Sequence, residues 1–174
     1  AVERVVALGR HPHLDAWRPP APADRAVVAR AMAATEIVHL AARPVSQLSA
    51  GERARVMLAR ALASEPRLLL ADEPVAQLDP YHQLQVMELF RALARQGLGA
   101  LVVLHDLSLA ARYCDRLMVL HDGRIAAEGA ARAILTPDLL ARVYGIEAEI
   151  GTRGGDFFVV PWRRLDPNAP MAPP

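Results

Sequence analysis

The chain has 174 residues, 53% hydrophobic and 22% charged, with a formal net charge of +1. That length suits one domain, or one core with a small appendage, and the near-neutral balance excludes a basic field that would steer the chain to nucleic acid. The single cysteine, Cys114, excludes an internal disulfide framework and fits a reducing compartment, and no apolar run approaches the ~18 residues of a membrane span.

In chain order, Val2, Val5, Val6 and Gly9 fall at helical spacing, so residues 2–9 read as a short amphipathic helix. Residue 1 is Ala and enters this pattern at once, so the start reads as cut, and no N-terminal signal pattern is present. Residues 11–23 are proline-rich and read as a loop. A helix is expected from Asp24, a candidate N-cap, to about Ala42, broken by Arg43-Pro44, and another from about Gly51 to Ala63. Residues 67–71 and 100–104 are short apolar runs without alternation, as expected of parallel strands covered on both faces. Residues 82–95 read as the helix between them, stopped by Gly97-Leu98-Gly99, which makes a βαβ unit. Residues 107–113 look helical. Residues 116–120 and 124–128 flank His121-Asp122-Gly123 as a hairpin. A helical patch follows near 130–144, then two strands around 146–150 and 156–160. Residues 166–174 are expected to be disordered.

Ser49-Ala50-Gly51-Glu52 has the S-x-x-E spacing of a capping box, which alone means only a well-started helix. Gly51 in its first turn also permits close approach to the backbone, and free amides with the helix dipole make an anion site suited to a terminal phosphate. Asp72-Glu73 follows the first apolar strand, at the edge where open α/β sheets bind ligands. One carboxylate there can hold Mg²⁺ through water, and its neighbour can polarise a water for attack on phosphorus. Two carboxylates in a solvated turn are the bland reading. Asp79-Pro80 reads as a turn into a helix, with Asp79 as its cap. His105 follows the second apolar strand as Asp72 follows the first. It could donate to a phosphate oxygen or simply be a satisfied core histidine. His11 and His13 form a weak metal pair with no acidic or cysteine companions. His39, His82 and His121 show no site logic, and Cys114 reads as a small buried residue.

The order of these fragments is distinctive. Residues 47–56 (Gln-Leu-Ser-Ala-Gly-Glu-Arg-Ala-Arg-Val), then 67–74 (Arg-Leu-Leu-Leu-Ala-Asp-Glu-Pro), then Leu78-Asp79, then Val103-Leu104-His105-Asp106 together resemble the nucleotide-binding subunit of ABC transporters. The resemblance covers about residues 1–150. It implies an α/β fold: a partial P-loop NTPase core with a helical signature subdomain. The four fragments correspond to the signature, the Walker B strand, the D-loop and the H-loop. Leu48, Ser49, Ala50, Gly51 and Glu52 would then contact ATP held by the opposite subunit of a head-to-tail homodimer. Asp72 would serve Mg²⁺, Glu73 would be the general base, Asp79 would couple the two sites, and His105 would sense the γ-phosphate. Ala50 and Glu52 stand where the common L-S-G-G-Q signature has Gly and Gln. Residues 5–13, Pro80-Tyr81-His82-Gln83, residues 111–115 and Tyr144-Gly145-Ile146 further resemble importers of iron–siderophore complexes, haem and vitamin B12.

All 20 Lys+Arg residues are Arg, so the sequence holds no G-x-x-x-x-G-K-[ST] loop. The P-loop, the adenine-stacking aromatic and the Q-loop of the family precede the segment that matches here. The expected organisation is a helical signature part over 1–64, a partial catalytic core over 65–130 and a C-terminal part over 131–174. Expected partners are a second ATPase subunit, membrane permease subunits and, indirectly, a binding protein, with no nucleic acid. The expected location is peripheral, on the cytoplasmic face of the bacterial inner membrane. This chain alone is expected to hydrolyse ATP negligibly and to expose apolar sheet surface. Two other readings remain: a non-catalytic partner that lends only its signature helix to an intact subunit, and a soluble ABC-type ATPase acting on chromosomes or ribosomes. The second would need coiled coils or basic arms that the sequence lacks.

Overall fold

The computed structural model describes residues 1–13 and 21–166. The chain divides into two compact units, Ala1–Val103 and Leu104–Pro174. The first opens with α1 (Val2–Ala7), continued by a 3₁₀ segment over Leu8–His13. Next come α2 (Pro22–Ala34) and α3 (Ala50–Leu62). Val2 and Val6 of α1, Val28 and Met32 of α2, and Val56 and Ala59 of α3 bury one shared core, closed by Ile37 and Leu40. Gly9 makes this packing possible: a Cβ there would lie 2.0 Å from the Arg60 carbonyl oxygen, so only a residue without one lets the 3₁₀ segment rest on α3.

Arg10 is buried in this helical layer. Its Nε donates to Asp24 (3.0 Å), and its Nη1 donates to the Ala63 carbonyl and to Glu65 (both 2.9 Å). A guanidinium is tolerated out of water only when its donors are matched in this way.

Both boundaries of α2 differ from expectation. α2 begins at Pro22, with Ala21 as N-cap, and Asp24 lies in its first turn, where its carboxylate accepts the Ala21 N–H (3.0 Å). The helix also stops at Ala34 rather than near Ala42. The Thr35 hydroxyl donates back to the Ala31 carbonyl (3.0 Å), and Glu36 turns the chain out with φ +57°. Of the expected loop over 11–23, residues 11–13 are 3₁₀ and 22–23 are helical, while 14–20 lie outside the described residues. The same is true of 167–174 in the expected disordered tail.

The βαβ unit forms as read. β1 (Leu68–Asp72) pairs in parallel with β2 (Gly99–Val103), and α4 (Pro80–Arg95) connects them. Val86, Met87, Phe90 and Leu93 give α4 a buried face. The strands, however, are covered on one face only. Leu69 is buried, whereas Leu68, Leu70, Leu101 and Val103, which share the other face of the pair, are exposed. The expectation that these strands are covered on both faces is thus not met: among the described residues nothing covers the second face.

The second unit starts with α5 (Leu107–Tyr113) and the antiparallel hairpin of β3 (Leu117–His121) and β4 (Arg124–Gly129). α6 (Ala131–Ile134) and α7 (Pro137–Tyr144) follow, then a second hairpin, β5 (Ile146–Arg153) and β6 (Asp156–Arg164). Val119, Leu135, Leu139, Leu140 and Val159 make its core. The Ser108 hydroxyl clips α5 to β6, donating to the Val159 carbonyl (2.6 Å) and accepting the Val159 N–H (3.1 Å).

Candidate functional site

The start of α3 is a closed capping box. Ser49, in extended conformation, is the N-cap; its Oγ accepts the Glu52 N–H (3.2 Å), while Glu52 Oε2 accepts the Ser49 N–H (2.8 Å). That backbone bond, more than the nearby Arg43, holds the Glu52 carboxyl below the usual carboxylate range. The box uses two of the four amides that a helix start leaves without an intrahelical acceptor, leaving those of Ala50 and Gly51. Such a pair at the positive end of a 13-residue helix suits an anion. Leu48, just before the cap, is buried in the helical core and anchors the turn.

The space beside Gly51 is already taken from within the chain. A Cβ on Gly51 would meet the His82 ring, 2.5 Å from Cδ2 and 2.8 Å from Cγ. The glycine is therefore required by an intramolecular neighbour, which sequence reasoning missed.

Asp72 and Glu73 end β1. Asp72 is the last strand residue and pairs with Val103; the Glu73 N–H donates to the Val103 carbonyl (3.1 Å), so the carboxylate pair is pinned to the sheet edge. Glu73 has φ +46°, a left-handed conformation that costs a non-glycine residue about 1–3 kcal/mol and recurs at functional sites. Both residues are exposed. An exposed carboxylate at a strand end fits Mg²⁺, which keeps several of its waters and needs few protein ligands. Among the described residues no cluster of three or more His, Cys, Asp or Glu side chains gathers in a metal-ligating arrangement. His13 instead meets the Ser64 carbonyl through Nε2 (2.8 Å).

Beyond Pro74 the chain turns and enters α4 at Asp79, the N-cap. One Asp79 oxygen accepts the His82 N–H (3.0 Å) and the other meets His82 Nδ1 (2.7 Å). These two bonds, the backbone one first, hold the Asp79 carboxyl below its ordinary range. Across an open cleft, Ala50, Arg53 and Met57 of α3 face Glu73, Gln77 and Leu78. The first unit thus brings together the capped helix start, the strand-end carboxylates and Asp79. His105 belongs to the second unit, where it directly precedes Asp106, the N-cap of α5, whose carboxylate accepts the Leu109 N–H (2.8 Å). Cys114 is half-buried, and burial pushes its thiol above the ordinary value. Among the described residues no helix is long and apolar enough to cross a membrane.

Residues 3–76 match the family model described as ABC transporter. The chain is 50% identical over 165 residues to the hemin import ATP-binding protein HmuV of Streptomyces coelicolor, covering 94% of this chain and 58% of that protein. It is 49% identical over 152 residues to the cobalamin import ATP-binding protein BtuD of Halobacterium salinarum, covering 87% of this chain and 38% of that one. It therefore spans about 40–60% of the length of these relatives. Among solved structures, a metal-chelate type ABC transporter in an inward-facing conformation superposes with a TM-score of 0.85 at 28% identity, covering 94% of this chain and 66% of that one. CbiO1 from Clostridium perfringens, part of the CbiONQ transporter complex, superposes with a TM-score of 0.71 at 29% identity, covering 82% of this chain and 55% of that one. With the strand-end carboxylates, the capped helix start and the parallel βαβ unit in place, the chain carries part of the ABC ATPase fold and, over most of its own length, is similar to ATP-binding proteins of ABC transporters.

Proposed function

We propose that this chain is the portion of an ATPase subunit that carries the signature helix, the Walker B carboxylates and the D- and H-loops, in an importer of haem, cobalamin or iron–siderophore complexes. The observation that carries the reading is the pairing, in one unit, of an anion-suited helix start at Ser49–Glu52 with two carboxylates at a parallel strand end. The names of the relatives support an import role and the substrate class.

In this mechanism two subunits close head to tail over two ATP molecules. Asp72 would hold Mg²⁺ through water, and the ion, when bound, would offset the negative charge of the phosphates. Glu73 accepts a proton from the attacking water as its oxygen adds to the γ-phosphorus, the bond from that phosphorus to the β,γ-bridging oxygen breaks, and ADP leaves as phosphate forms. From the other subunit, the Ala50 and Gly51 amides stabilise charge on the γ-phosphate oxygens, with the Ser49 hydroxyl nearby, while Leu48 and Glu52 hold that turn in shape. Asp79 couples the two sites and His105 contacts the γ-phosphate. Closure favoured by ATP pushes on permease helices through residues 1–45, and hydrolysis releases it. In this scheme 1–64 form the helical signature part, 65–130 the partial core and 131–174 a C-terminal part. The subunit works on the cytoplasmic face of the membrane with a permease and, indirectly, a binding protein.

The test is ATP hydrolysis by a subunit of the relatives' full length carrying these residues, reconstituted with its permease and binding protein. Hydrolysis should rise when the binding protein is loaded with haem, cobalamin or a ferric siderophore. No hydrolysis under any loading would overturn the proposal.

A further inference from the structure

We infer that His82 is a positioning residue that locks the Asp79 carboxylate to the first turn of α3, so that the signature turn and the D-loop of one subunit move as a single body. The inference rests on the function proposed above and assigns a role to a histidine outside the four motif segments.

Three contacts carry it. The His82 ring fills the space where Gly51 would carry a Cβ, with Cδ2 at 2.5 Å and Cγ at 2.8 Å from that position. Its Nδ1 lies 2.7 Å from Asp79 Oδ2, and its backbone N–H donates to Asp79 Oδ1 at 3.0 Å. A carboxylate can only accept, so Nδ1 carries the proton in this bond. One residue thus engages both oxygens of Asp79, although the Asp79 side chain is 59% exposed. The opposite edge of the same ring is packed on α3. The Tyr81 ring meets it edge-on with centroids 5.3 Å apart. An ordinary cap would need only the backbone bond. The side-chain bond and the ring-on-glycine contact go beyond capping, and they join two segments 28 positions apart in sequence, Gly51 and Asp79.

The consequence concerns coupling. A phosphate drawn onto the Ala50 and Gly51 amides shifts the start of α3, and a rigid ring seated on Gly51 passes that shift to the Asp79 carboxylate. Without the ring, Asp79 keeps its cap but loses its tie to the signature turn.

Three variants in the full-length subunit, assembled with its permease, separate these contacts. His82→Ala removes both the ring and the side-chain donor, His82→Phe keeps a ring against Gly51 without the donor, and His82→Asn keeps an N–H donor without the ring. We expect kcat for ATP hydrolysis to fall about tenfold in His82→Ala, the effect of one hydrogen bond to a charged group, with KM changed less than about twofold. His82→Phe should be impaired as well, and His82→Asn should recover part of the loss. Wild-type kcat in His82→Ala, or in His82→Phe, overturns the inference. A melting cycle on the present chain checks the contact without reference to activity. Gly51→Ala should lower Tm, and adding His82→Ala should return part of the loss; a Gly51→Ala loss that His82→Ala leaves unrelieved overturns the ring-on-glycine contact. Glu73→Gln is the control. If it hydrolyses ATP normally, the proposed function fails, whereas an inactive Glu73→Gln beside a fully active His82→Ala defeats only the role of His82.

Discussion

Replacing Ser49 by Ala isolates one half of the capping box. The substitution deletes the Oγ that accepts the Glu52 N–H at 3.2 Å, but leaves the Glu52 carboxylate on the Ser49 N–H at 2.8 Å. Loss of an N-cap acceptor costs about 1 kcal/mol. For a unit the size of Ala1–Val103, that corresponds to a fall in melting temperature of about 4–8 °C. Ser49→Asp restores an acceptor at the same position and adds charge favourable to the helix dipole, so it should melt within about 2 °C of the parent. Differential scanning calorimetry of the three chains at pH 7 measures the effect. A Ser49→Ala shift below about 1 °C would mean that the bond carries no net stability and that Ser49 contributes to function alone. An Asp variant as unstable as the Ala variant would show that something other than the cap was lost.

Further outcomes follow from the same geometry. Asp24, Glu52 and Asp79 are each held below their ordinary carboxyl range in the fold. Their contribution is complete above the unfolded value of about 4 and is lost as pH falls through the lower folded values. Melting temperature should therefore drop on acidification below about pH 4, and Glu52→Gln should make that drop shallower in a pH series of thermal melts; an unchanged slope counts against the box as an acid-sensitive element. Leu69→Ala should cost about 2–5 kcal/mol because the residue is buried. Leu70→Ala, one position away on the exposed face, should stay within about 0.5 kcal/mol. Urea unfolding of both variants decides whether the sheet is one-sided in solution. Isothermal titration of ATP into this lysine-free chain should give an affinity weaker than micromolar, since most phosphate-cradling amides of a nucleotide site belong to a P-loop. Micromolar binding would refute that division of labour.

The parts legible in the sequence are those governed by short-range rules. The S-x-x-E spacing gave the start of α3, the apolar runs gave β1 and β2, and His121-Asp122-Gly123 gave the β3–β4 turn. The end of α2 was not legible because Glu36 is the residue at φ +57°, where glycine or asparagine would have been the signal. Its start was misread by two residues. Pro22 at the first helical position was the better marker than Asp24, whose carboxylate serves the first turn from inside. The buried Arg10 network joins residues 14 to 55 positions apart, so no local pattern announces it. The role of His82 is illegible for a related reason. An aspartate followed three residues later by a histidine has the spacing of a capping box, with imidazole in place of Glu, but the partner that gives it a role, Gly51, is distant in sequence. The carboxylate pair at Asp72-Glu73 was readable as chemistry. Its left-handed Glu73 was not, since Pro74 after it favours extended backbone.

The most direct measurement is single-turnover ATP hydrolysis by the full-length subunit with Glu73→Gln, assembled with its permease. If Glu73 takes the proton from the attacking water, this variant should still bind ATP and close its dimer, while hydrolysis falls by 100-fold or more, on the order expected for loss of a general base. Hydrolysis at the parent rate with ATP bound would contradict the assignment of chemistry to the strand-end carboxylates.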